Sequence, residues 1–170
     1  MELLKKFASS IILLPICIWL VLNYGDFIFL LDHFNLLIHE GGHGIFRFFG
    51  KFIYTLGGTL MQIIIPSIFI YYFYSNKKNF GVQISLVYLG ENLFNISKYA
   101  ADAVAQKLPL LGGKKVYHDW HWLLSRMGIL EYDQLVGLFF VILAIISFMI
   151  ALLYPLKPLP KKRVNLDLDL

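Results

Sequence analysis

Three long stretches without a charged side chain constrain this chain most. Ala8 to Asn23, Phe52 to Asn76 and Gln134 to Leu156 contain no Asp, Glu, Lys or Arg. Each approaches or exceeds the roughly 18–20 residues with which a helix crosses the hydrocarbon of a bilayer. Across the chain 58% of residues are hydrophobic, against about 45–50% in an ordinary soluble domain. The expected fold is all-α: a polytopic transmembrane helix bundle of about five spans, with a short interfacial or re-entrant segment.

The punctuation of the sequence places those spans. They are expected over Phe7–Leu22, Phe27–Phe49, Thr59–Tyr74, Val82–Leu108 and Gln134–Tyr154, with Pro66 as a kink in the third. "GKFIYTLGG" reads as a glycine-bounded connection, "SNKKNFG" as a polar turn and "PLLGGKK" as a loop. "VYHDWHWLLSRMGIL" reads as the short segment, its two tryptophans suited to an interface. The basic, apolar start of the chain lacks a small-residue cleavage site and is read as a retained first span. A single domain, 1–156, is expected ahead of a flexible, charged, proline-rich tail, 157–170. The implied location is the bacterial inner (cytoplasmic) membrane, as a multi-pass integral protein. Lys5 and Lys6 argue for a cytoplasmic N-terminus, whereas Lys161, Lys162 and Arg163 then face outward after five spans; the orientation stays open.

Two function classes drop out. The formal charge of +4 comes from short loops and the tail, where it meets lipid headgroups rather than nucleic acid. The single cysteine, Cys17, cannot form an internal disulfide and sits in an apolar run.

Within "FNLLIHEGGHGIFRFFG", His39 and His43 are four apart, so on a helix they share one face and can grip one metal ion. Glu40 stands beside the first histidine, placed to act as general base on a water activated by that ion. Zn2+ is the expected metal, because it lowers the pKa of such a water toward about 7. Unpaired Glu and His side chains in an apolar helix are costly, and a shared metal ion gives them a partner.

Catalytic zinc usually takes three protein ligands and a water. Asn92, Asn95, Tyr99 and Asp102 recur along one helical face, which makes Asp102 the favoured third ligand. His118, after the Gly112-Gly113 loop, is the competing one. Asn92 and Asn95 are expected to bind substrate or orient ligands, with Asp119 in a similar supporting place. Asn35 and Asp32, one and two turns before His39, are expected to hold a histidine's other nitrogen. Gln62 on the third span either faces the site or serves in helix packing, and His33 is read as interfacial.

The "HEGGH" motif, a glycine-bounded connection, a span and a later helix with Asn and Asp together resemble the site-2-protease-like zinc metalloproteases, in their small bacterial branch. The resemblance covers about Asn35 to Asp102. It implies Zn2+, His39 and His43 as ligands, Glu40 as base and peptide-bond hydrolysis inside the membrane. The implied partners are a membrane protein or peptide substrate and the lipid bilayer, with no nucleic acid. The alternatives are a non-proteolytic zinc-binding membrane protein and an inactive protease-like chaperone that grips helices without cutting them.

Overall fold

The computed structural model describes residues 2–109 and 117–156. The expected tail 157–170 and the Gly112-Gly113 loop lie outside the described residues. Among those described, the chain is all-α: α1 (Glu2–Leu22), α2 (Phe29–Phe46), α3 (Gly50–Ser75), α4 (Asn79–Ala101), α5 (Asp119–Met127) and α6 (Asp133–Leu153). Single 3-10 turns flank α6, at Leu130–Tyr132 and Tyr154–Leu156.

Helix α4 is the axis of the bundle, and every other α-helix packs against it. Its sequence explains this. Small residues let neighbours approach: a side chain on Gly90 would overlap the Phe148 ring, and one on Gly137 of α6 would meet Ala101. Polar side chains then tie the helices together. Gln83 Nε2 donates to Ser10 Oγ of α1 (2.9 Å) and to the Ala151 carbonyl of α6 (2.8 Å). Ser147 Oγ donates to the Leu86 carbonyl (2.7 Å). Such bonds leave few polar groups stranded in an apolar interior.

Among the described residues, two segments are long and apolar enough to cross a membrane, Gly50–Ser75 and Leu130–Leu156. Within α1, the stretch whose side chains are described, Phe7–Leu22, is apolar but shorter than either segment. The expectation of about five spans is therefore met in its all-α character and in two candidate spans. Helix α2 and helix α4 do not qualify, because each carries the polar residues that build the interior, among them Asp32, Asn35, His39, Glu91 and Asn92. The connection expected at "GKFIYTLGG" is instead the first two turns of α3. Gly57 and Gly58 lie inside a helix because α2 crosses there at close range.

That crossing gives a direct test. A side chain on Gly42 would overlap the Gly57 carbonyl and Gly58 Cα, which are backbone and cannot swing aside. Gly41 and Gly44 have open space around them. Gly42→Ala is expected to destabilise the protein by roughly 1–3 kcal/mol. Gly41→Ala and Gly44→Ala should be neutral or gain about 0.5–1 kcal/mol of helix propensity. Thermal unfolding of the three variants in one detergent separates these outcomes. Equal melting temperatures for all three would mean that α2 and α3 do not meet this closely.

Candidate metal centre

The i, i+4 spacing of His39 and His43 puts both rings on the face of α2 that meets α3 and α5. The rings stand edge to face, 4.8 Å between centroids. Each ring is held by its Nδ1. His39 Nδ1 donates to Gln62 Oε1 on α3 (3.0 Å), and His43 Nδ1 donates to the Tyr54 carbonyl (2.8 Å). A neutral imidazole with its proton on Nδ1 offers a bare lone pair on Nε2. Those two Nε2 atoms converge on one oxygen: Asp119 Oδ2 lies 3.0 Å from His39 Nε2 and 3.1 Å from His43 Nε2.

Asp119 reaches this place because α5 docks firmly. Trp120, Leu123 and Leu124 are buried, and the Trp120 ring meets Phe140 of α6 at 5.5 Å. The helix stops at Gly128, whose left-handed backbone (φ 71°) closes the last turn. Asp119 is the first residue of α5, where the helix dipole favours a carboxylate. Its amide donates to Tyr99 Oη (3.1 Å), and Tyr99 Oη stands 3.4 Å from Asp119 Oδ2. Burial pushes the Asp119 carboxyl up, but the hydrogen bonds to His39 and His43 outweigh it and hold it below its ordinary value. Burial pushes His43 down, while its bonds to Asp119 and Tyr54 and the nearby Glu40 charge raise it above the usual histidine value.

Two lone pairs and a carboxylate oxygen this close repel one another unless a metal cation, or in its absence a proton on Nε2, sits among them. A zinc ion with ligands at about 2.0–2.2 Å in a tetrahedron spaces its donors by roughly 3.4 Å. The His39, His43 and Asp119 donor atoms, all within 4.8 Å of one another, fit a divalent metal. A side chain on Gly58 would overlap the His39 ring, so this glycine makes room for it. Gly58→Ala is expected to displace His39 and weaken metal binding by about 10–100-fold, the range seen when ligand support is lost. Metal titration of the variant checks this; wild-type affinity would show that the ring moves freely.

The other expected site residues do not join this cluster of donors. Asp102 does not face the histidines. It follows the last residue of α4 and accepts from the amides of Lys107 (2.9 Å) and Leu108 (2.9 Å), shaping the turn that ends the helix. That turn is why the span expected to run to Leu108 stops at Ala101. His118 caps α5, its Nδ1 accepting from the His121 amide (3.2 Å), and its Nε2 lies 3.5 Å from Asp102. Burial lowers the His118 pKa, against the nearby Asp102 and Asp119 charges. The two residues expected to compete for the metal thus face each other, and Asp119, expected only in support, faces the histidines.

Asp32 and Asn35 do not hold the histidine nitrogens either. Asp32 accepts from the Ile28 amide at the start of α2 and from Asn95 Nδ2 (2.6 Å). Asn35 donates to Glu91 (2.7 Å) and accepts from Tyr88 (3.0 Å). Of the two readings open for Gln62, the structure has the one that faces the site, at His39 Nδ1, and Asn95 steadies it by accepting from Gln62 Nε2 (2.8 Å). Asn92 turns back to the Tyr88 carbonyl (3.0 Å), away from the metal centre. The Tyr54 carbonyl left no sequence signal, since any residue presents one.

A cavity of about 320 Å³ opens onto the centre. Glu40, exposed to it, lines it with His39, His43 and Asp119. Phe27, Leu36, Leu108 and Pro109 give it apolar walls.

The site-2-protease-like reading, with its proteolysis inside the membrane, does not survive this placement. That chemistry needs its metal within a membrane span, whereas His39 and His43 lie on α2 and Asp119 on α5, outside the two segments able to cross. Comparison of the chain with family models, with curated proteins and with solved structures finds no match.

Proposed function

We propose that this protein is a membrane-associated zinc-dependent hydrolase of acyl bonds, amide or ester, whose centre lies outside the membrane-crossing helices. The observation that carries the reading is the convergence of both Nε2 atoms on Asp119 Oδ2, with Glu40 in the same cavity. His39, His43 and Asp119 would hold the ion, which supplies Lewis acidity toward a water and a substrate carbonyl. Glu40 takes the proton of the attacking water and passes it to the leaving nitrogen or oxygen. Water and the acyl compound become a carboxylic acid and an amine or alcohol. Tyr99 keeps Asp119 oriented, and Gln62 and the Tyr54 carbonyl keep both Nε2 atoms unprotonated. The apolar segments Gly50–Ser75 and Leu130–Leu156 support contact with a bilayer or another hydrophobic partner.

The test is metal analysis of the detergent-purified full chain, together with turnover of a panel of fluorogenic amides and esters. About one zinc per chain is expected, with hydrolysis abolished by a chelator and restored by zinc. Protein purified without chelator that contains no transition metal would refute the reading.

A further inference from the structure

Among the described residues, one cation stands in this cavity. Lys98, near the end of α4, lines it together with Glu40, Tyr99 and Asp119. Among the described residues it is the only lysine or arginine on the cavity wall, and no carboxylate lies within ion-pair distance of it. Two of the three carboxylates that the described residues place on the cavity wall have hydrogen-bond partners of their own. Asp32 accepts from Asn95 and the Ile28 amide, and Asp119 faces the two histidines. Lys98, half-buried at the wall of a small cavity with apolar walls, is left to bind an anion that enters it.

We propose that Lys98 holds a single carboxylate of the substrate, so that the compound hydrolysed is a monoanionic acyl compound with an apolar body. This rests on the zinc-hydrolase reading of the same cavity. The volume, about 320 Å³, is at the small end of ligand sites, so a molecule that fills it meets both the metal centre and Lys98. Charge selects the anion. With a divalent ion bound, Lys98, Asp32, Glu40 and Asp119 leave the cavity without net charge, so a monoanion adds a single negative charge where a phosphate dianion would add two and meet the stronger repulsion from the carboxylates. Phosphate recognition also favours the forked guanidinium of arginine, and none of the described residues on the cavity wall is an arginine. Phe27, Leu36, Leu108 and Pro109 take the apolar body. Lys98 is a specificity residue here; Glu40 remains the group that moves the proton.

The test uses three hydroxamates that share one benzyl body and one zinc-binding group. One carries a free carboxylate (the monohydroxamate of benzylsuccinate), one a carboxamide and one a phosphonate in its place. Affinities are measured by calorimetry on zinc-loaded full chain, for wild type, Lys98→Met and Lys98→Arg. The wild type should prefer the carboxylate over the carboxamide by roughly 10- to 100-fold, the worth of a charge-assisted hydrogen bond. Lys98→Met should lose that preference while keeping its zinc and its affinity for the carboxamide compound. Lys98→Arg should restore part of it. A preference that persists in Lys98→Met overturns the inference and leaves the zinc centre standing. A phosphonate preferred over the carboxylate overturns the choice of anion. Protein that binds neither zinc nor any of the three overturns the hydrolase reading and this inference with it.

Discussion

Asp119→Ala is expected to strip zinc from the protein, whereas Asp102→Ala and His118→Ala should leave it bound. The contrast follows from where the three side chains point. Asp119 Oδ2 is within 3.1 Å of both Nε2 atoms. Asp102 is committed to the amides of Lys107 and Leu108, and His118 to the Asp102 carboxylate and the start of α5. Removing a ligand should cost more than the about 10–100-fold that follows loss of a supporting group. Asp102→Ala frees two amides and loosens the turn before α5, so a loss within that range is expected from it. The measurement is competitive zinc titration with a chromophoric chelator. Circular dichroism checks that each variant stays helical. An Asp119→Ala protein with wild-type affinity would remove the carboxylate from the centre. A His118→Ala loss larger than the Asp119→Ala loss would hand the position to His118.

Glu40→Gln should keep both zinc and fold while hydrolysis falls by about 10²–10⁴-fold, the usual contribution of a general base. Glu40 follows His39 directly, so its side chain leaves α2 in a direction different from that of the two histidines. It lines the cavity without belonging to the cluster of converging donors. Glutamine preserves the length and the carbonyl oxygen but cannot take the proton of a water. The loss should appear in kcat and kcat/KM together, because proton transfer belongs to the transition state. Zinc content and melting temperature, measured on the same preparation, separate this from damage to the site. Turnover at the wild-type rate would show that Glu40 is not the base. Loss of zinc along with activity would place Glu40 among the ligands.

His39, Glu40 and His43 could be read from the chain alone because their relation is local. A helix turns the same way wherever it lies, so residues four apart share a face before any packing is known. The same holds for the outer faces of α3 and α6, whose uncharged length is a property of one segment. The third member of the cluster was not local. Asp119 is 80 residues from His39, and it arrives only because Trp120, Leu123 and Leu124 bury α5 beside α4 and α6. Asp102 looked better placed from its helical stripe, yet α4 ends at Ala101 and the carboxylate was used to end it. The close approach of α2 and α3 was likewise beyond periodicity. Glycines at 42, 57 and 58 read equally well as a loop or as a crossing, and only the meeting of two backbones chose the crossing. The apolar surplus of the composition likewise could not tell a helix that crosses a membrane from one whose polar stripe lines a cavity. That depends on which way each side chain turns once the bundle has closed.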